Sequence, residues 1–556
     1  MMSGPDDRDE QRVSRRRFLE AGPAALAAAH LSGVMSRADH PAAEPRATTS
    51  FELEEISLRD LQDGMKSGRF TARTLVQLYL ERIDKLDRPA RSGEHTAVNA
   101  VIQINPDALK IADELDRERR KRGPRGPLHG VPVLIKDNIA TSDGMMTTAG
   151  SLALVGSMSP HDAFVVRRLR EAGAVLFGKT NLSEWANIRS EHSTSGWSGR
   201  GGLTRNPYAL DRNPCGSSSG SGAAASANFC AAAVGTETDG SVVCPSSVNG
   251  LVGIKPTVGL VSRTGIIPIS HTQDTAGPMA RTVTDAAILL GAMAGVDAND
   301  PATRESHGKS QADYTRFLDP TGLRGARLGV ARKYFGFNAF VDRLMNDALA
   351  EMKRHGAVLV DPADIPTEGK YGGAEFEVLL YELKADLNAY LAGLGPNSPV
   401  HTLADIIEFN VKHRDEEMPY FGQDTFVRAE AKGPLTDKAY LDALAKCRTL
   451  SRAEGIDAIM DKERLDALVA PTAGPAFITD LINGDHDSGG SSSPAAVAGY
   501  PDITVPAGFV FGLPVGISFF GRAYSEPTLI RIAYAFEQAT CFRRPPRLLP
   551  TINLTA

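Results

Sequence analysis

The chain has 556 residues, of which 42% are hydrophobic and 23% are charged. This composition supports a large buried core and excludes a predominantly disordered protein. The 61 Lys and Arg and the 67 Asp and Glu residues give a formal charge of −6, which does not favour nucleic acid as a partner. The five cysteines are too few and too scattered to predict a disulfide scaffold, and none has the CxxC spacing of a structural zinc site. Composition therefore predicts a soluble globular protein of enzyme size.

An export signal is predicted in residues 1–48. Residues 14–19, SRRRFL, place consecutive arginines before an apolar pair, and an alanine-rich run follows at residues 21–35. That run is shorter than the about 20 apolar residues of a membrane span, so stable membrane insertion is not expected. The arrangement resembles a twin-arginine signal and predicts the twin-arginine machinery as a partner and a periplasmic or secreted location. A disordered basic tail is the alternative interpretation.

The first elements after this signal are predicted to be helices and a strand. Apolar residues recur at helical spacing behind Thr71, which predicts a helix capped by that residue. Residues 97–104 predict a strand, and Asn105-Pro106 predict the start of the next helix. This second helix ends in a basic run at residues 117–122. Because cations at a helix C-terminus complement its dipole, this run indicates a solvated helix end rather than a nucleic-acid contact.

The remaining pattern predicts a largely parallel sheet. Residues 131–135 and 174–177 are short and wholly apolar strands separated by helical sequence, which favours helices on both faces of the sheet. Residues 310–465 are richer in charge and helical periodicity, and predict a helical insertion or cap. Strand character returns in residues 467–470 and 502–505.

Two short motifs point to other enzymes but lack the required context. Residues 173–180, GAVLFGKT, fit the phosphate-loop pattern GxxxxGK[ST], but the apolar strand lies between the glycines instead of before them. Residues 216–220, GSSSG, fit the GxSxG nucleophile elbow, which needs a hydrophobic strand directly before it. The preceding residues 211–215 are a polar segment with a proline. Neither nucleotide binding nor an α/β-hydrolase is favoured.

The serine-rich segment instead forms the first of two similar loops. Residues 216–221 precede an alanine-rich helix, so Ser218 and Ser219 are predicted to cap that helix rather than to react. A second loop, residues 236–241, ends at Ser241. No histidine accompanies either loop, so a base for a serine nucleophile must be another residue. Lys136 ends a buried apolar strand, where desolvation would lower its pKa and leave the amine neutral.

Together these segments resemble the amidase signature family in order and content. The matching blocks are residues 130–138, 178–185, the two serine loops, 250–257, 470–472 and 521–522. The resemblance covers roughly residues 52–545. It implies one amidase signature domain, residues 49–549, with an α/β fold. Its core is a large mixed, mostly parallel β-sheet covered on both sides by helices, with the helical insertion at about 310–465.

The resemblance also implies the site and its chemistry. By position, Ser241 corresponds to the nucleophile, Ser217 to the bridging serine on a cis peptide bond, and Lys136 to the base. The backbone N–H groups of Thr238, Asp239, Gly240 and Ser241 correspond to the oxyanion hole. This serine chemistry cleaves carboxamide C–N bonds through an acyl-enzyme and requires neither a cofactor nor a metal.

Two departures from the family pattern bear on the substrate. The usual Gly-Gly-Ser is replaced by Asp239-Gly240-Ser241, and the usual Ile-Arg by Val242-Val243, so an anionic substrate group is less favoured.

The segments closest to bacterial peptide amidases are residues 195–202, 215–221, 259–263 and 273–275. They predict release of ammonia from C-terminal peptide amides. Aryl or alkyl amides, anilides and carbamates are the alternative substrates. A glutaminase subunit of a tRNA-dependent amidotransferase is less favoured because of the export signal and the missing arginine. The sequence leaves the oligomeric state open.

Overall fold

The computed structural model describes residues 51–88, 97–486 and 489–554. The predicted export signal in residues 1–48 lies outside the described residues. The described residues belong to one compact unit. None of their helices is long and apolar enough to cross a membrane.

Thirteen strands are present in the described part of the chain. They are β1 Val101–Ile104, β2 Pro132–Lys136, β3 Val175–Thr180, β4 Trp197–Ser198, β5 Gly202–Leu203, β6 Ala232–Glu237, β7 Val252–Lys255, β8 Thr275–Ala280, β9 Arg327–Val330, β10 Val358–Val360, β11 Ala467–Pro471, β12 Asp502–Val510 and β13 Leu513–Phe520. Eleven of them form one sheet in the order β1-β3-β2-β6-β8-β7-β12-β13-β11-β9-β10, and β4 pairs with β5.

The sheet combines both strand directions. Parallel pairs join β3, β2 and β6 on one side and β11, β9 and β10 on the other. Antiparallel pairs connect these groups through β8, β7, β12 and β13. The predicted α/β class with a large mixed sheet surrounded by helices is confirmed.

Sixteen α-helices surround the sheet among the described residues. They are α1 Leu58–Ser67, α2 Ala72–Leu86, α3 Ala108–Arg122, α4 Phe164–Glu171, α5 Ser219–Ser226, α6 Val243–Val248, α7 Val283–Met293, α8 Ala339–Arg354, α9 Gly372–Gly393, α10 Leu403–Lys412, α11 Arg414–Glu417, α12 Asp424–Glu430, α13 Lys438–Arg448, α14 Asp457–Glu463, α15 Ser493–Ala498 and α16 Glu526–Thr540. A π-helical segment, Thr449–Ile456, joins α13 to α14, and short 3₁₀ helices lie at Leu152–Leu154, Glu184–Asn187, Pro301–Ser306, Thr315–Phe317 and Arg332–Tyr334.

Several predicted elements form close to their expected positions. Thr71 caps α2 with its side chain, and the basic run ends α3 before Gly123. The predicted strands at 131–135 and 174–177 are β2 and β3, which pair in parallel.

The segment from 310 to 465 contains strands as well as helices. Its helices α8 to α14 are accompanied by β9 and β10, which extend one edge of the sheet. Helix α9 buries Leu383 and Leu387 in a cluster that also contains Trp185 and Ile267 from the body of the domain. This contact holds the helical segment beside the end of β2, where Lys136 lies.

Candidate active site

Strand β2 delivers Lys136 into a completely buried position. The strand lies between β3 and β6, and the register pairs Ile135 with Val234, so the end of β2 faces Thr236 of β6. Lys136 Nζ lies 2.8 Å from Ser217 Oγ, 2.9 Å from Thr236 Oγ1 and 3.2 Å from Thr236 O. The structure therefore brings the predicted base into contact with the predicted bridging serine.

Burial controls the protonation of Lys136. Desolvation lowers its pKa to about 7, although the carboxyl groups of Asp274 and Glu237 act in the opposite direction. A neutral amine has two N–H groups and one lone pair. The two oxygens of Thr236 can accept both N–H groups, which leaves the lone pair to accept the hydroxyl proton of Ser217. Asn138 Nδ2 donates to Thr236 Oγ1 at 2.9 Å and fixes this threonine.

The two serine loops contact each other directly. The Gly216–Ser217 peptide bond is cis, as the family resemblance implies. The N–H of Ser218 donates to the carbonyl oxygen of Ser241 at 3.2 Å. Ser217 is 1% exposed and Ser241 is 8% exposed. Of the two serines proposed to react, Ser241 is therefore the one more accessible to a substrate.

Ser218 and Ser219 lie at the start of α5 as predicted, but neither hydroxyl caps the helix. Ser218 occupies the N-cap position of α5 but makes no side-chain cap hydrogen bond. Its hydroxyl donates instead to Thr236 O at 3.0 Å, because this carbonyl lies directly beside it. Ser219 Oγ donates to Cys215 O at 2.6 Å. Both hydroxyls thus stabilise the loop that carries Ser217.

A buried carboxyl group that sequence analysis did not single out organises the second loop. Glu237 accepts hydrogen bonds from the N–H groups of Gly240 at 2.9 Å, Val242 at 2.6 Å and Val243 at 3.0 Å. Burial raises the pKa of Glu237, while Lys255 and the N–H groups of Val242 and Val243 lower it. The N–H of Gly240, one of the four predicted oxyanion donors, is therefore directed at Glu237 in this structure. Thr238, Asp239 and Ser241 complete the predicted donor set.

A disulfide bond joins the segments that carry the two serine loops, a pairing that the sequence analysis did not predict. Cys215 precedes Ser217 by two residues, and Cys244 follows Ser241 by three. The two cysteines are bonded with their Cα atoms 6.1 Å apart. Their separation of 29 residues carries no pairing signal by itself. The feature of the sequence that could have indicated the pairing is that each cysteine flanks one of the two serine loops.

A cavity of about 490 Å³ adjoins the loop on its Thr238 side. Asp274 is buried at this cavity, and Thr238 Oγ1 donates to it at 2.5 Å. Burial raises the pKa of Asp274 to about 6, whereas its hydrogen bonds with Thr238 and the Ser270 and Ile269 N–H groups lower it. Other cavity residues are Asn138, Thr236, Ile267, Pro268 and Tyr390. The cavity is lined by both polar and apolar residues and lies beside Thr236, which contacts Lys136.

A pair of carboxyl groups, Asp239 and Glu375, lies where the loop meets helix α9. Asp239 accepts hydrogen bonds from Ser492 Oγ at 2.5 Å and Ser493 Oγ at 2.6 Å. Its carboxyl group also interacts with Glu375 in the first turn of α9. Burial and the proximity of Asp239 raise the pKa of Glu375 to about 8. The pair connects the helical segment to the loop of Ser241.

One group of side chains in the described part of the chain has the composition of a metal site. His271, Glu382 and Asp386 place potential ligand atoms within 4.8 Å of one another. His271 Nδ1 lies 2.9 Å from Asp386, and Glu382 already accepts hydrogen bonds from Ser270 and Tyr440. These contacts explain the cluster as a hydrogen-bonded link between α9 and the loop that precedes β8.

The chain is similar to known amidases along most of its length. A family model described as Amidase matches residues 74–530. A probable amidase of Arabidopsis thaliana is 44% identical, with the alignment covering 91% of this chain and 94% of that protein. A glutamyl-tRNA(Gln) amidotransferase subunit of Acinetobacter baylyi is 34% identical over 88% of this chain and 97% of its own. The crystal structure of native peptide amidase from Stenotrophomonas maltophilia is 53% identical with a TM-score of 0.84, covering 89% of this chain and 99% of that one.

Proposed function

This chain belongs to the amidase signature family and is an amide-hydrolysing enzyme, and from this membership we propose that it releases ammonia from C-terminal peptide amides through a Ser–Ser–Lys triad. The observation that carries the mechanism is the 2.8 Å contact between Lys136 Nζ and Ser217 Oγ, made by a lysine whose pKa is lowered to about 7. A lysine in this state can act as a general base at neutral pH.

The reaction follows from moving one proton along the triad. Neutral Lys136 takes the proton of Ser217 as Ser217 takes the proton of Ser241. Ser241 Oγ then forms a bond to the carbonyl carbon of the amide. As the C–N bond breaks, the proton returns along the same path to the departing nitrogen, which leaves as ammonia. Water repeats the sequence on the ester of Ser241 and releases the carboxylic acid.

The loop of Ser241 supplies the stabilisation of negative charge. We assign the oxyanion hole to the loop of residues 238–241, with the backbone N–H groups of Thr238, Asp239 and Ser241 as its donors. Because the N–H of Gly240 donates to Glu237, its contribution in this structure is to hold the loop in shape, and the remaining residues are the available donors. Such fixed donors stabilise the transition state because they need no reorientation during the reaction.

Support for a peptide amide as the substrate comes from similarity and from one substitution. The solved structure with 53% identity is a peptide amidase. Val243 replaces the arginine expected after the nucleophile and is completely buried. A substrate whose acyl side carries no carboxylate fits this site better than glutamine does.

The proposed substrate is tested by measuring ammonia release from an N-blocked dipeptide amide and product release from an aryl anilide and a carbamate of similar size. We expect the highest kcat/KM for the dipeptide amide. If the enzyme is inert on peptide amides but cleaves the anilide or the carbamate, the proposed triad would stand and the proposed substrate would be wrong.

A glutaminase role is the second candidate, because the matching amidotransferase component from Acinetobacter baylyi aligns with most of the chain. A protein with this role would release ammonia from glutamine and copurify with the other components of its complex. Turnover of the dipeptide amide by the isolated chain, together with no turnover of glutamine, would exclude it.

We also propose export through the twin-arginine pathway to the periplasm or the outside of the cell. Support comes from the consecutive arginines at 15–17 and the short alanine-rich run after them. Replacing the three arginines with lysine is expected to retain the full-length precursor inside the cell. Continued appearance of processed protein in the periplasmic fraction would contradict the proposed route.

A further inference from the structure

The disulfide between Cys215 and Cys244 lies where it can control the geometry of both serine loops. Cys215 belongs to the loop of Ser217, and Cys244 lies in the first turn of α6, directly after the loop of Ser241. Each cysteine is within three residues of one serine of the proposed triad. A covalent bond at this place fixes the distance between the two chain segments close to the reacting groups.

Hydrogen bonds also connect the two segments. Ser218 N–H donates to Ser241 O at 3.2 Å, and Asn249 Nδ2 donates to Pro214 O at 3.0 Å. Both bonds can lengthen without a large penalty, since hydrogen bonds tolerate a range of distances. The disulfide is the covalent restraint between these segments, so it limits how far Ser217 and Ser241 can separate.

Catalysis by the triad is sensitive to such a separation. The proton must pass from Ser241 through Ser217 to Lys136, and each transfer requires heavy atoms within hydrogen-bond distance. A displacement of about 1 Å in a catalytic arrangement can reduce the rate about 100-fold. Ser217 is already held by Lys136, so a shift of the Ser241 loop would break the chain of transfers at its first step.

The bond is also accessible to reducing agents. Both Cys215 and Cys244 are partly exposed, whereas the unpaired Cys230 and Cys447 are buried. A small dithiol can therefore attack this disulfide without unfolding the protein. Access is a requirement for thiol–disulfide exchange.

We propose that Cys215 and Cys244 are positioning residues whose disulfide holds Ser217 and Ser241 in catalytic register, so that the oxidised enzyme is active and reduction lowers its turnover. The inference rests on the triad assigned under the proposed function. In the reductive step, a dithiol reductant gives two electrons and two protons to the protein disulfide. The protein gains two thiols and the reductant becomes a cyclic disulfide.

The first experiment compares the oxidised enzyme with enzyme reduced by dithiothreitol. Thiol titration, far-UV circular dichroism and the kinetics of ammonia release from a blocked dipeptide amide are measured on the same samples. We expect two additional thiols, an unchanged circular dichroism spectrum, a fall in kcat of about 100-fold and a much smaller change in KM. Removal of the reductant and reoxidation should restore kcat.

The second experiment uses a double variant and a matched control. Cys215→Ser/Cys244→Ser should reproduce the low kcat and be insensitive to dithiothreitol. Cys541→Ser removes an exposed cysteine remote in sequence from both loops and should keep the activity and the reductant response of the parent. The pH at which kcat/KM is half-maximal should stay the same in the reduced enzyme, because Lys136 remains buried.

Two outcomes would overturn the inference. A reduced enzyme and a double variant that both keep the full kcat would show that hydrogen bonds alone hold the loops. Loss of the folded circular dichroism spectrum on reduction and in the double variant would show that the disulfide stabilises the whole fold rather than the arrangement of the two loops. If a Ser241→Ala variant kept full activity, the proposed triad would fail independently of these results.

Discussion

Lys136 Nζ and Ser217 Oγ lie 2.8 Å apart in a site where the lysine is completely buried. The contact joins the end of β2 to the loop before α5, two segments separated by 81 residues. Because desolvation lowers the pKa of Lys136 to about 7, this pair can accept a proton near neutral pH. The pH dependence of activity and the pH dependence of stability should both reflect the titration of Lys136.

The activity should rise with pH as Lys136 loses its proton. When the pH lies below the Lys136 pKa of about 7, only the unprotonated fraction of the lysine can act as a base. The value of kcat/KM should therefore increase about tenfold per pH unit in this range and level off above it. The measurement is kcat/KM for a blocked dipeptide amide between about pH 5 and 9. A profile that is flat or falls across the acidic half of this range would show that Lys136 is not the base.

The stability of the protein should depend on the same proton. The folded-state pKa of Lys136 is lowered from 10.5 to about 7, so between these values the unfolded chain binds a proton that the folded protein does not. Stability from this group therefore increases as pH rises through that window. Lys136→Met removes this contribution, and the free energy of unfolding should increase less across the window in the variant than in the parent. Equal increases in denaturant titrations of both proteins would contradict the lowered pKa.

Glu375 should have the opposite effect on stability. Its folded-state pKa is raised from 4.5 to about 8 by burial and by Asp239, so the folded protein keeps a proton that the unfolded chain has lost. The contribution of this group is present below pH 4.5 and is lost as pH rises to about 8. Glu375→Gln should reduce the decline in unfolding free energy across this range. The exposed Glu416→Gln is the matched control and should leave the decline unchanged. An identical decline in all three proteins would contradict the raised pKa of Glu375.

Glu237 should be necessary for the shape of the Ser241 loop. A glutamine at this position keeps one acceptor oxygen but places an NH₂ group where the other carboxylate oxygen accepts backbone N–H groups. We expect Glu237→Gln to lower kcat by about 100-fold, comparable with the loss of one oxyanion donor. Steady-state kinetics and a thermal melt check this result together. A variant with parental kcat and a folded melt would show that the loop keeps its shape without the carboxylate.

The first parallel strands of the sheet could be predicted from sequence, but its centre could not. β2 and β3 are continuous apolar runs that end at polar residues, a pattern typical of buried parallel strands. β6 and β8 have the sequences AAVGTE and TAGPMA, in which small residues and a proline give little strand signal. The antiparallel pairing of these strands depends on contacts distant in sequence, which periodicity does not reveal.

For the candidate site, the motifs identified the residue types and positions but not the contacts that support them. Lys136, Ser217 and the Ser241 loop are predicted by the order of motifs, and the structure brings these three segments together. The three hydrogen bonds accepted by Glu237 are made to backbone N–H groups, which nearly any sequence provides. The Cys215–Cys244 bond depends on the approach of two loops, so it required the folded structure.

Ser241 is the proposed nucleophile of this amide hydrolase. The most direct test is ammonia release from a blocked dipeptide amide by the parent, by Ser241→Ala and by Ser67→Ala, an exposed serine at the end of α1 that serves as control. We predict that Ser67→Ala matches the parent and that Ser241→Ala loses about 10⁴- to 10⁶-fold in kcat, as expected when a serine nucleophile is removed. Full activity of a correctly folded Ser241→Ala protein would show that Ser241 is not the nucleophile.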